Sequence, residues 1–362
     1  MNTNIMVKYN NLPCYDIVLE QDYSSVHREL NKIDTKNKKI CIVTDTNLSK
    51  LYLNELIEIL KVYAKVVETF TFPAGESSKN LDTVYLLYEK LINSGFDRKD
   101  LLIALGGGVV GDLTGYAAAT YLRGINFIQL PTSLLAMVDS SIGGKTGVDF
   151  HAYKNMVGAF HQPKAVYMNL KTLLSLNDAQ FFSGFGEIIK HGLIKDADYY
   201  FWLKDNCEAI KKRDMAALKE MIYKSCLIKR EVVENDPKEL GDRALLNFGH
   251  TIGHAVEKLM EFKLLHGECV AIGIIAASYL SHKRNHITRE QFEDIVFTIQ
   301  SYNLPTSISG IRAKDIFNVT LSDKKMEAGR IKFILLNQIG SAVIDTSVSE
   351  AEMLEAINYI MD

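Results

Sequence analysis

Short apolar runs alternate with amphipathic stretches through the first half of the chain. Lys39 to Thr44 (KICIVT) is an apolar run ending at Asp45, and a helical stretch follows through Leu60. Ala64 to Phe72 is rich in Val, Thr and Phe, which suit a pleated surface. A turn at Pro73-Ala74-Gly75 precedes a helical period from Leu81 to Asn93. Leu101 to Leu105 is a further buried-strand run, and it leads directly into Gly106-Gly107-Gly108. Strands this uniformly apolar need cover on both faces, so the rhythm predicts a parallel sheet covered by helices on both faces.

From about Asn177 the period lengthens. Phe181 to Ile194, Met215 to Glu234 and Gly249 to Met260 repeat their apolar positions at helical spacing. Cys269 to Leu280 is the most apolar stretch, yet it falls short of the roughly 20 residues a membrane helix needs, and so reads as a buried helix. A hairpin is expected from Arg330 to Leu336 and Ser341 to Asp345, turning at Ile339-Gly340. The fold class expected is α/β plus α: a Rossmann-like domain over residues 1–178, then a mainly helical domain over 179–362.

Composition narrows the class. The net charge of −3 is spread along all 362 residues, which argues against a nucleic-acid partner or a polybasic membrane anchor. Cys14, Cys41, Cys207, Cys226 and Cys269 are scattered without a C-x-x-C pair, so a disulfide framework or thiolate zinc site is not expected. The polar start of the chain lacks the apolar core of a secretion signal. A soluble cytoplasmic protein is the expectation.

Two segments carry candidate chemistry. Gly106-Gly107-Gly108-Val109-Val110-Gly111 satisfies G-x-G-x-x-G between a strand and a helix, where bare backbone N–H groups can hold a pyrophosphate. A plain tight turn would read the same, and no acidic residue follows at the usual distance, where Gln129 to Ser133 stand. Asp45, ending an earlier strand, is an alternative ribose contact. Ser141 to Gly147 (SIGGKTG) superficially resembles a nucleoside triphosphate loop, but Asp139 occupies the required first glycine. Lys145 is left on a flexible loop, with Lys154 and Asn155 nearby, suited to an anion. His250 and His254 stand four apart and share a helix face, a spacing that can grip one metal ion. His266 and Glu187 would complete a set of two histidines and a carboxylate with an open coordination position. Hydrogen-bonded core histidines are the plainer alternative.

These segments resemble the 3-dehydroquinate synthase family over most of the chain. The likeness rests on Pro73-Ala74-Gly75-Glu76 with Lys79, on Ala104 to Ile125 (ALGGGVVGDLTGYAAATYLRGI) and on Leu130 to Val148 (LPTSLLAMVDSSIGGKTGV). It continues in Lys154 to Pro163 (KNMVGAFHQP), Leu245 to Glu257 (LLNFGHTIGHAVE), His266-Gly267-Glu268 and Asp323-Lys324-Lys325. The resemblance implies conversion of 3-deoxy-arabino-heptulosonate 7-phosphate to 3-dehydroquinate and phosphate, a step of the shikimate pathway. The route is transient oxidation by NAD, phosphate elimination, re-reduction and aldol closure.

It further implies that Glu187, His250 and His266 hold zinc or cobalt. Asp45, Asn47, Glu76, Lys79, Gly107, Gly108, Val109, Asp112, Thr132, Ser133, Asp139, Lys145, Lys154, Thr172 and Ser175 would line the NAD site. Arg123, Asp139, Lys145, Lys154, Asn155, Lys190, Lys229, Arg243, Asn247, His254 and Lys325 would surround the sugar phosphate. His254, Glu239, Lys145 and Lys190 would be catalytic. Arg123 matches an arginine that reaches the neighbouring subunit, which implies a homodimer. Asn169 and Gln180 depart from the family's usual Asp and Arg. The rival readings are another NAD- and metal-dependent sugar phosphate cyclase, a metal-dependent polyol dehydrogenase, and a non-enzymatic role.

Overall fold

The computed structural model describes residues 4–151, 153–261, 263–321, 326–327 and 330–362. The chain divides into two units, Met1–Leu176 and Asn177–Asp362.

The first unit is built on a seven-stranded sheet. Its strands are β1 (Asn4–Tyr9), β2 (Leu12–Glu20), β3 (Lys39–Asp45), β4 (Val66–Phe72), β5 (Leu101–Gly106), β6 (Asn126–Pro131) and β9 (Ala165–Asn169). Their spatial order is β1-β2-β9-β6-β5-β3-β4, parallel throughout except for β1, which pairs antiparallel with β2. Alternate residues of the apolar runs feed opposite faces. Ile40, Ile42, Leu101, Ile103 and Leu105 pack with Leu30 of α1 (His27–Lys32) and with Leu56 and Leu60 of α2 (Leu53–Leu60). Cys41, Val43, Leu102 and Ala104 pack with Val84, Leu87 and Leu91 of α3 (Leu81–Asn93) and with Val110, Leu113 and Ala117 of α4 (Gly108–Thr120). The strand order reverses between β3 and β5, which places the topological switch point at their carboxyl ends, beside Asp45 and Gly106.

One segment differs from the reading of the sequence. Lys145 does not lie on a flexible loop but opens β7 (Lys145–Phe150), which forms an antiparallel hairpin with β8 (Tyr153–Phe160). The glycines before it, Gly143 and Gly144, have φ of 97° and 66°, so they form the turn and the strand begins beyond them. α5 (Thr172–Ser175) closes the unit.

The second unit is mainly helical: α6 (Asp178–Ser183), α7 (Phe185–Lys195), α8 (Ala197–Asp205), α9 (Cys207–Lys211), α10 (Met215–Asn235), α11 (His250–Leu259), α12 (His266–Lys283), α13 (Arg289–Ser301), α14 (Ala313–Leu321) and α15 (Glu350–Tyr359). The helix expected over Phe181 to Ile194 is two helices meeting at Gly184, with a side-chain cap from Asn177 starting the first. The expected hairpin is shorter than its apolar pattern. Phe333–Gln338 pairs with Ser341–Asp345, while Arg330–Ile331 pairs instead with Met326–Glu327. Among the described residues, no helix is long and apolar enough to cross a membrane.

Candidate active site

In the second unit three helices bring Glu187, His250 and His266 together. Glu187 lies in the first turn of α7, fully buried; His250 opens α11 and His266 opens α12. Glycines beside the ligands permit this approach. A Cβ on Gly267 would fall 1.7 Å from the Ser183 carbonyl oxygen, and one on Gly186 would fall 2.4 Å from the Gly267 oxygen. On the other side, a Cβ on Gly273 would sit 1.8 Å from the oxygen of Gly249, whose φ of +79° starts α11. Backbone therefore touches backbone next to every ligand.

Glu187 Oε1 lies 3.3 Å from His250 Nε2 and 3.5 Å from His266 Nε2. It is buried and, among the described residues, has no hydrogen-bond partner. Ligand atoms about 2.0–2.1 Å from a tetrahedral zinc ion lie about 3.3–3.4 Å apart, so these separations are those of a coordination edge. The tautomers agree. Phe248 O is 3.1 Å from His250 Nδ1, and a carbonyl only accepts, so Nδ1 carries the proton and Nε2 turns a lone pair toward Glu187. A lone pair facing a carboxylate is repulsive unless a cation lies between them, and the donor set fits a divalent metal. Burial opposes ionisation of Glu187, but the Lys190 cation, whose Nζ bonds to Oε2, holds its carboxyl well below the usual range. Burial likewise opposes protonation of His266, yet the carboxylates of Glu187 and Glu257 push its pKa up to about 9. His254 follows one turn after His250, with ring centroids 5.0 Å apart, and its ring centroid lies 5.9 Å from that of His266.

The other candidates of this unit fall into two groups. Lys190 and Lys229 are buried on α7 and α10. Glu239, Arg243 and Asn247 share the segment between α10 and α11. Asn247 Nδ2 donates to Glu239 Oε1 at 3.1 Å, and Arg243 Nη1 donates to the Pro237 carbonyl at 2.8 Å. Lys325 lies outside the described residues.

In the first unit the cofactor candidates gather at the carboxyl ends of the parallel strands. Asp45 ends β3, and its Oδ1 accepts the N–H groups of Asn47 and Leu48 at 2.8 and 3.0 Å. Glu76 and Lys79 follow β4, while Gly107, Gly108 and Val109 form the turn into α4, whose start has no side-chain cap. Uncapped N–H groups at a helix start suit an anion. Thr132 and Ser133 follow β6, and Thr132 N donates to Gly106 O at 3.0 Å. Thr172 and Ser175 follow β9, and Asp139 lies in a wide turn closed by Ser141 N on Ala136 O at 3.2 Å.

Lys79 is the hub of this set. Its Nζ donates to Asp112 Oδ2 at 2.7 Å and to Asn155 Oδ1 at 2.5 Å, and Lys154 lies 3.7 Å from Glu76. Burial raises the Asp112 pKa against the pull of Lys79, and the neighbouring charges of Glu76 and Asp139 add to the rise. Arg123 stands apart. It lies beyond the far end of α4 from the glycine turn, about 20 Å of helix away, exposed and with φ of 69°.

Comparison with known proteins decides the family. Residues 69–183 match the family model described as 3-dehydroquinate synthase N-terminal, and residues 184–326 match 3-dehydroquinate synthase C-terminal. The 3-dehydroquinate synthase of Acetivibrio thermocellus is 41% identical over 95% of this chain and 95% of its own. The chain belongs to the 3-dehydroquinate synthase family. Its relative from Prochlorococcus marinus is also 41% identical, over 98% of this chain and 99% of that one. Among solved structures, 2-epi-5-epi-valiolone synthase from Streptomyces hygroscopicus, with NAD+ and Zn2+ bound, aligns with a TM-score of 0.89 at 26% identity, covering 98% of this chain and 99% of that chain.

Three residues of this family member bear on the site without having stood out in the sequence. Asp236 accepts the N–H groups of Leu240, Gly241 and Arg243 and so shapes the loop bearing Glu239, Arg243 and Asn247. The Asp236-Pro237 step was its only local signal. Asp149 accepts the N–H of Asn155, whose φ is 51°. Glu257 faces His266, and its place seven residues after His250 on the same helical stripe was a usable sign.

Proposed function

We propose that this chain is a 3-dehydroquinate synthase that converts 3-deoxy-D-arabino-heptulosonate 7-phosphate to 3-dehydroquinate and phosphate. The observation that carries the reading is the Glu187, His250 and His266 triad in a chain of this family. When bound, NAD supplies a reversible hydride acceptor and a zinc or cobalt ion supplies a Lewis acid at the substrate's vicinal oxygens.

This chain's own side chains would do the rest. Glu187, His250 and His266 hold the cation, and Lys190 keeps the Glu187 carboxyl ionised. Asp45, Asn47, Glu76, Lys79, Gly107, Gly108, Val109, Asp112, Thr132, Ser133, Asp139, Lys145, Lys154, Thr172 and Ser175 take the dinucleotide. A substrate bearing both phosphate and carboxylate needs several cations. Lys145, Lys154, Lys190, Lys229 and Arg243 supply them, with Asp139, Asn155, Asn247 and Lys325 as further contacts. The planar Arg243 guanidinium, oriented by Pro237, suits a two-point carboxylate contact. His254 and Glu239 handle the proton at C6 whose loss expels phosphate. Arg123 matches the family arginine that reaches a second copy of the chain, and its place beyond the far end of α4 from the glycine turn is compatible with that role. The active species would then be a cytoplasmic homodimer.

The test supplies the heptulosonate phosphate with catalytic NAD and a divalent metal. One phosphate is expected per substrate, with no net change in reduced-nicotinamide absorbance. Accumulating NADH without phosphate release would instead identify a polyol dehydrogenase. Release from a phosphorylated sugar lacking the carboxylate, but not from the heptulosonate, would identify another cyclase. His266→Ala is expected to purify folded with little bound metal, and parental metal content would overturn the ligand assignment.

A further inference from the structure

We infer that Glu257 is a positioning residue that fixes the ring of His266 for metal binding. The inference rests on His266 being a ligand, as proposed above.

His250, His254 and Glu257 occupy one stripe of α11, and Glu257 is buried at 4% exposure. Its Oε2 lies 3.5 Å from His266 Nδ1, while Nε2 on the far side of the same ring lies 3.5 Å from Glu187 Oε1. The imidazole thus lies between two carboxylates, one facing each of its nitrogens. A carboxylate at Nδ1 keeps the proton on that nitrogen and leaves the Nε2 lone pair for a cation.

The two histidines differ in how they are held. The side chain of His250 is 11% exposed, and the Phe248 carbonyl sets its tautomer at 3.1 Å. The side chain of His266 is 27% exposed and stands on the first residue of α12, so surrounding packing restrains it less. A charged acceptor at Nδ1 both stops ring rotation and makes Nε2 the stronger donor.

The experiment compares the parent chain with Glu257→Gln, Glu257→Ala and His266→Ala, each full length and loaded with zinc. The readouts are metal stoichiometry, the rate of zinc release to excess chelator, and the visible spectrum of the cobalt(II) form. Loss of such an outer partner costs about 10–100-fold in metal affinity, so Glu257→Gln should release zinc about 10-fold faster and Glu257→Ala faster still. The cobalt spectrum should shift in both, because the ligand field at the ion changes, whereas a purely structural role for Glu257 would leave it unmoved. The isosteric Glu257→Gln carries the test if Glu257→Ala fails to fold. If His266→Ala loses its metal while Glu257→Gln matches the parent in release rate and spectrum, the positioning role is wrong and the ligand assignment stands. If His266→Ala keeps parental metal, the ligand assignment itself has failed. A second metal equivalent in the parent that Glu257→Gln loses would make Glu257 a ligand, and would also overturn the inference.

Discussion

Gly267 sets how closely α12 approaches the backbone before α7, and with it where His266 stands. The Gly267→Ala substitution adds one methyl at a point 1.7 Å from Ser183 O and 2.6 Å from Ser183 C. An ordinary carbon–oxygen contact is about 3.2 Å, so the two backbones must part by about 1.5 Å, since close-packed interiors have no void to absorb the atom. A metal site tolerates about 0.2 Å of ligand displacement. The shift therefore removes His266 from the coordination shell and leaves Glu187 and His250 as a two-residue site. Overpacking costs about 1–3 kcal/mol, and a rigid backbone on both sides places this case at the upper end, about 3 kcal/mol. The assay is zinc content after gel filtration, chelator competition, and denaturant unfolding of the metal-free chain. Glu89→Ala serves as the control, because Glu89 lies on the exposed face of α3, far along the chain from the ligands. The control should change stability by less than about 0.5 kcal/mol and leave metal content unaltered. A Gly267→Ala protein with parental zinc affinity and stability would refute the link between backbone approach and ligand geometry.

Lys79→Met is expected to destabilise the first unit by about 3 kcal/mol and weaken nicotinamide binding, because it strands Asp112 and releases Asn155. Adding Asp112→Asn should recover part of the stability, and strictly additive losses in a double-mutant cycle would count against the pairing. Arg284 grips Glu352 through Nε and Nη2 at 2.8 and 2.9 Å, and chiefly for that reason the Glu352 pKa falls to about 2 from an ordinary 4.5. The depressed folded-state pKa means that the pair stabilises fully above about pH 4.5, and that its contribution drains away as the pH falls toward 2. With the carboxylate a third exposed, that contribution is about 1 kcal/mol, so the stability gap between parent and Glu352→Gln should close over that window. A gap unchanged by pH would remove the electrostatic account.

The elements of the chain were largely legible before folding. The run from Lys39 to Thr44 became β3, Leu81 to Asn93 became α3 and Cys269 to Leu280 became the centre of α12, because strand and helix periods are written in neighbouring residues. Misreadings fell where a single residue outranked the period. Gly184 divides one expected helix into α6 and α7, and the turn at Gly143-Gly144 puts Lys145 on a hairpin strand. The H-x-x-x-H spacing suggested that His250 and His254 share a metal. The structure instead sets His250 against Glu187 and His266, which come from other helices.

The sequence by itself determined which segments are strands and helices, where a bare glycine turn meets a helix start, and which family the chain resembles. Tertiary structure alone decided that three helix starts converge, that Phe248 and Glu257 face the Nδ1 atoms of the two histidines, and that Lys79 ties Asp112 to Asn155. The physical reason is range. Periodicity and capping act within a few residues, whereas the convergence of Glu187, His250 and His266 depends on backbones touching at Gly186, Gly267 and Gly273, and no local pattern records which partner each glycine will meet.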